Sequence, residues 1–181
     1  MSSQPSDNAL IQQLQLLLTG YGYNFYNQTN QARADDLLVR ERASYFLAQA
    51  VSTLAQLRSD YHTRFVPPLT RANPDPPQEA MAQLRAIEAA QQALAKVESG
   101  IRGMAVPSQD RIWWRFRQEQ SLLMRLLNFD LTLVRASEQI YQYVSRMTPE
   151  DWSQQSGALQ QMTRQLAQTV TERERFLLLP L

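Results

Sequence analysis

From Ile112 to Val144 the residues on one face recur at alternating spacings of four and three, for about nine helical turns. The seam runs Ile112, Phe116, Glu119, Leu123, Leu126, Asp130, Leu133, Ser137, Ile140 and Val144, with Trp113, Leu127, Val134 and Tyr141 beside it. A helix apolar around more than half its circumference suits the central member of a helical bundle and little else. No stretch shows sustained apolar/polar alternation with β-branched enrichment, and the chain has only 5 glycines, so the expectation is all-α.

Breaks in the pattern divide the chain. A first helix is expected from about Asn8 to Thr19, capped by Ser6 or Asp7, with Leu10, Leu14, Leu17 and Leu18 on its apolar side. Gly20 and Gly22 end it. A long second helix begins between Asn24 and Asn30 and reaches Phe65 through Val39, Ala43, Phe46, Leu47, Ala50, Leu54, Leu57 and Tyr61. Val66-Pro67-Pro68 stops it, because proline disfavours helix in the residue before it and lacks the amide that the ladder needs.

The stretch 67–76 is a stiff proline-rich connection. Asp75 is read as the next cap, with Pro76 at the first helical position and Gln78 closing a capping box. The alanine-rich third helix, about Pro77 to Ser99, turns Met81, Leu84, Ile87, Leu94 and Val97 inward, and Gly100 and Gly103 close it. Ser108 is expected to cap a central helix from Gln109 to Arg146. Thr148 and Pro149 then start the last, with Trp152, Leu159, Met162, Leu166 and Val170 inward. Residues 1–181 are read as one domain. Its architecture is an elongated up-down antiparallel bundle of four main helices plus a short N-terminal helix, with a flexible N-terminus at 1–7 and an apolar tail at 176–181.

Composition removes several function classes. Without cysteine there are no disulfides, thiolate metal sites or cysteine nucleophiles. The net charge of +1 supplies no global field for nucleic acid or anionic lipid, and no nucleic-acid partner is expected. Met1 to Asn8 is polar, unlike a secretory signal, and no apolar run approaches the ~18–20 residues that span a bilayer. A soluble cytoplasmic protein is the expectation. Of 18 basic residues only Lys96 is lysine; genomic base composition that favours arginine codons accounts for such a bias, and the alternative is that arginine's planar fork suits interfaces.

The candidate sites are few. His62 is the only histidine, no glutamate precedes it by three residues, and a surface or boundary position is expected rather than a metal ligand. Neither a metal, a cofactor nor a catalytic set is expected. Asp130 sits in the seam among leucines and there needs a partner, for which Arg40 and Arg42 are the candidates. Glu119 and Ser137 share its stripe, and Glu119 is expected to be a second buried polar residue. Either the seam carboxylate fixes helix register or it marks a ligand site.

The segment Arg111-Ile112-Trp113-Trp114-Arg115-Phe116-Arg117 is the best candidate contact surface. At 100° per residue Trp114 points away from Ile112, Trp113 and Phe116. The same outer face continues through Gln118, Ser121, Arg125, Asn128, Thr132, Arg135, Gln139 and Arg146 without a carboxylate. An exposed tryptophan on an arginine-bearing strip resembles an interface hot spot. Tyr21, Tyr23, Phe25 and Tyr26 are expected to lid one bundle end, and the tail from Phe176 through Leu178 to Leu181 either folds back or enters a second copy or partner. The expected partner-binding set is therefore Arg111, Trp114, Arg117, Arg125, Arg135, Phe176 and Leu178. The expected function is a non-enzymatic module that binds a partner protein or forms a homodimer. The alternative is a bundle holding a pigment, lipid or nucleotide near Asp130 and Tyr141.

Overall fold

The computed structural model describes residues 7–18, 32–71, 74–104 and 110–178, except for the side chains of 7–11, 32, 110, 111 and 117. Six helices account for most of these residues: α1 (Asp7–Leu17), α2 (Ala32–Phe65), α3 (Gln78–Gly103), α4 (Asp110–Gln118), α5 (Gln120–Val144) and α6 (Trp152–Leu177). No strand occurs among the described residues. The glycine–tyrosine stretch with Tyr21, Tyr23, Phe25 and Tyr26, and the caps assigned to Ser6 and Ser108, lie outside them.

Four long helices close a ring. α2 packs on α3 and α5, and α6 completes the circuit by packing on α5 and α3, while α1 and α4 both lean on α5. Side-chain pairs give the senses. Arg40 reaches the Met104 carbonyl and Arg58 meets Glu88, so α2 and α3 run oppositely. Arg173 meets Asp130 and the Tyr143 hydroxyl donates to the Gln155 carbonyl at 3.3 Å, so α5 and α6 do too. Phe46 stacks on Tyr141 at 6.3 Å while Asp36 and Asp130 share Arg173, which sets α2 and α5 in the same sense. Two sides of the ring are thus antiparallel and two parallel.

One apolar core fills the ring. Val39, Ala43, Leu47, Ala50 and Leu54 of α2 face Leu126, Leu133, Val134 and Ile140 of α5, with Ile87 and Leu94 of α3 and Leu159 and Leu166 of α6 completing the section. These positions follow the three-and-four register in each helix, which is why hydrophobic burial assembles the rods lengthwise. α2, with 34 residues, is about 50 Å long at 1.5 Å per residue. No helix is long and apolar enough to cross a membrane, among the described residues.

The central helix is not continuous. Glu119 adopts φ −106° and ψ 97°, which divides the expected rod into α4 and α5. Its amide still donates to the Arg115 carbonyl at 3.0 Å, and its own carbonyl accepts from Leu122 and Leu123 at 3.0 and 3.1 Å, so one helix ends where the next begins. The physical reason lies in the seam. A straight rod would carry the Glu119 carboxylate into the core. The break leaves it exposed, with Arg115 3.6 Å away on the surface. The expectation that Glu119 is buried is corrected accordingly.

Helix ends shift for similar reasons. α3 begins at Gln78 with Pro77 in the cap position and no side-chain cap bond, so the capping box built on Asp75 does not form. The same helix runs through Gly100 to Gly103, because the next turn brings Ile101 into the core with no exposure at all. Burying that side chain outweighs the roughly 1 kcal/mol that glycine costs a helix. At the start of α6 the Thr148 hydroxyl donates to Asp151 Oδ2 at 2.8 Å and accepts from the Asp151 amide at 3.4 Å. Helical hydrogen bonding starts a turn later than the Thr148–Pro149 cap implied, at Trp152.

Candidate functional site

Two features stand apart from ordinary core packing: an ionic cluster inside the ring and an aromatic–arginine face outside it. The cluster is built on seam positions. Asp36 and Arg40 lie one turn apart on α2, Asp130 lies midway along α5, and Arg173 lies in the last turns of α6. Asp36, Asp130 and Arg173 have no exposed surface and Arg40 only 3%. Arg173 donates from Nε to Asp130 Oδ1 at 2.8 Å and from Nη2 to Asp36 Oδ1 at 2.7 Å. Its Nη2 also lies 2.7 Å from Asp130 Oδ1. Arg40 Nη2 stands 2.6 Å from Asp36 Oδ2, and its Nη1 donates to the Met104 carbonyl at the end of α3.

The arrangement balances two carboxylates with two guanidinium groups and touches all four ring helices or their ends. A guanidinium offers five donors in a fixed plane, which lets one side chain hold two carboxylates at once. The contact of Arg40 with Met104 also places a cation beside the carbonyls left over at the end of α3. Such a cluster contributes little net stability compared with apolar packing, but it penalises every helix register that separates its members. Asp130 therefore has its arginine from α6. Arg40, named as its candidate partner, serves Asp36 instead, and Arg42 lies over the Phe46 ring at 4.5 Å.

This geometry bears on chemistry. Arg173 lies against Asp130, and the half-buried Tyr141 ring stacks on Phe46 at 6.3 Å. Ser137, on the same seam, donates to the Leu133 carbonyl at 2.8 Å. His62 is exposed near the end of α2. Among the described residues no three His, Cys, Asp or Glu side chains are placed to hold a metal ion.

On the outside, Trp114 of α4 is 58% exposed, whereas its neighbour Trp113 is 1% exposed and packs 6.5 Å from Phe116. Gln118, Ser121, Arg125, Asn128, Thr132, Arg135, Gln139 and Arg146 are all exposed. None of Arg125, Arg135 and Arg146 enters an ion pair among the described residues. The side chains of Arg111 and Arg117 lie outside the described residues. Phe176, expected on the contact surface, is instead buried between Phe116 at 5.4 Å and Phe129 at 5.5 Å. Arg125 stands over its ring at 4.8 Å. Phe176 therefore ties α6 to α4 and α5, and Leu177 is buried with it. Only Leu178 of the described tail is exposed.

The residues that sequence reasoning missed, Asp36 and Arg173, carried a usable signal. On α6 the inward series Leu159, Thr163, Leu166, Val170 continues by three to Arg173 and by four to Leu177. Asp36 and Arg40 extend the α2 series back from Ala43 in the same way. No protein-family model, curated protein or solved structure matches the chain.

Proposed function

We propose that the protein is a non-enzymatic helical interaction module, an assembly factor or adaptor that binds a partner protein or a second copy of itself. The observation that carries the reading is the outward Trp114 of α4, together with Arg125, Arg135 and Arg146, which are exposed on and just after α5 without an ion pair among the described residues. A tryptophan more than half exposed offers a large apolar area whose burial is worth several times that of a smaller side chain. Arg125, Arg135 and Arg146 add cations with no ion-pair partner on their own strip, so the favoured partner surface is acidic with an apolar pocket. The interior supports the same reading, because Asp36, Arg40, Asp130 and Arg173 form ion pairs with one another away from water.

The test is light scattering and affinity capture from native extract with the wild type, Trp114→Ala and the double variant Arg125→Gln/Arg135→Gln. A dimer or a discrete partner that is retained by the wild type, weakened by both variants and weakened by added salt supports the reading. Complex formation unaffected by both variants, or its absence in the wild type, removes it.

A further inference from the structure

A recess of about 630 Å³ lies against the first half of α2 and the end of α3. Leu37, Glu41, Ser44, Tyr45 and Ala48 of α2 line it, with Arg40 beneath and Arg102 of α3 at the rim. Its size lies within the range usual for small-molecule sites. Three large hydrophobic side chains of α2 are left exposed, and two of them, Leu37 at 52% and Tyr45 at 53%, stand in this recess.

Ser44 gives the recess a built polar point. Its side chain is 5% exposed, and its Oγ has no hydrogen-bond partner. The other buried serine and threonine side chains behave differently: Ser137 and Thr163 each donate to the carbonyl four residues earlier, both at 2.8 Å. A helical hydroxyl ordinarily takes that local bond, so a buried Oγ without it carries a desolvation cost that a ligand atom can remove.

The charges select the ligand. Arg40 is already engaged by Asp36 and the Met104 carbonyl. Arg102 pairs with Glu98, four residues earlier, and its own side chain stays 70% exposed, which leaves its outer donors open to a ligand. Its flat guanidinium and the Tyr45 ring are both suited to stacking on a planar group. Glu41 at the rim disfavours a second negative charge. We propose that the recess binds a small planar aromatic monocarboxylate, with its ring against Tyr45 and Leu37, its carboxylate on Arg102 and a hydrogen bond from Ser44. The inference stands apart from the protein-contact reading, since none of its residues belongs to the Trp114 strip.

The experiment is calorimetric titration of the full chain with 2-naphthoate and with its uncharged isostere 2-naphthamide. The wild type is expected to bind one naphthoate saturably and in preference to the amide. Arg102→Gln weakens naphthoate about fivefold and abolishes the preference, a loss expected for one exposed ion pair. Tyr45→Ala weakens both ligands. Glu98→Gln, which releases Arg102 from its carboxylate partner, tightens naphthoate binding and serves as the check should Arg102→Gln fold poorly. No saturable binding, equal affinity for acid and amide, or binding unchanged by Arg102→Gln and Glu98→Gln would overturn the proposal. So would a wild-type dimer that Tyr45→Ala converts to monomer while naphthoate does not bind, which would assign the recess to a second copy.

Discussion

Replacing Arg173 by methionine tests the ionic cluster because its members lose unequal amounts. The change removes the Nε bond to Asp130 at 2.8 Å, the Nη2 contact with Asp130 at 2.7 Å and the Nη2 bond to Asp36 at 2.7 Å. Asp36 keeps Arg40 at 2.6 Å, whereas Asp130 loses its pairing with α6 altogether. Removing one partner of a buried ionic pair costs about 3–5 kcal/mol. That is a large share of the roughly 5–15 kcal/mol by which domains are stable, so the variant should fold but unfold at much lower urea. The asymmetry gives a sharper expectation. Adding Asp130→Asn to Arg173→Met should restore part of the lost stability, because it removes the carboxylate that Arg173 meets through both Nε and Nη2. Adding Asp36→Asn should restore less, because it also weakens the Arg40 contact. Urea unfolding at neutral pH, followed by far-UV circular dichroism, reads all four proteins. A cost below about 1 kcal/mol for Arg173→Met, outside the range for breaking a buried pair, refutes the reasoning. Equal rescue by the two asparagine variants would refute it as well.

Three further expectations follow from the packing. Trp113→Ala should cost about 3–5 kcal/mol as a buried aromatic deletion, while Trp114→Ala stays within about 0.5 kcal/mol; acrylamide quenching should find one accessible tryptophan that disappears in Trp114→Ala. Gly100→Ala and Gly157→Ala should each stabilise by about 0.5–1 kcal/mol, because a methyl group at either position meets no heavy atom within 4 Å and alanine is the better helix former. A lowered melting temperature in either would contradict that. Burial, reinforced by the nearby Glu79 carboxylate, raises the Tyr61 hydroxyl above its ordinary pKa of 10.0. The folded state then holds that proton more tightly than the unfolded chain, so its contribution is present below pH 10 and lost as pH rises through the folded value. Tyr61→Phe should flatten the alkaline loss of stability, and an unchanged alkaline profile would disprove it.

Much of this architecture could be read from the chain. The three-and-four spacing identified the buried face of each long helix, and Val39, Leu47, Ile87, Leu94, Leu133 and Leu159 lie where it placed them. The register also put Trp113 inside and Trp114 outside. Two things resisted. Helix continuity through Glu119 depended on whether a cation from another helix could meet a seam carboxylate at that height. Arg173 meets Asp130, but Glu119 turns out to the surface. The second was the cluster itself. Arg173 sits in Thr171-Glu172-Arg173-Glu174-Arg175, whose alternating charges resemble a solvated helix end. Only its place in the α6 register distinguishes it, and pairing it with Asp36 and Asp130 requires knowing which helices are neighbours. Seam positions occupied by opposite charges on different helices are therefore informative when read together, though each alone looks like an exception.

A photo-crosslinking residue introduced at position 114 or 135, with Gln160 on α6 and Ser52 on α2 as exposed controls, addresses the proposed contact face in native cells. Irradiation should give one discrete adduct, with a partner or a second copy, from positions 114 and 135 and none from the controls. Absence of any adduct from the Trp114 strip, or the same adduct from all four positions, would mean that this face is not where the protein makes its contacts.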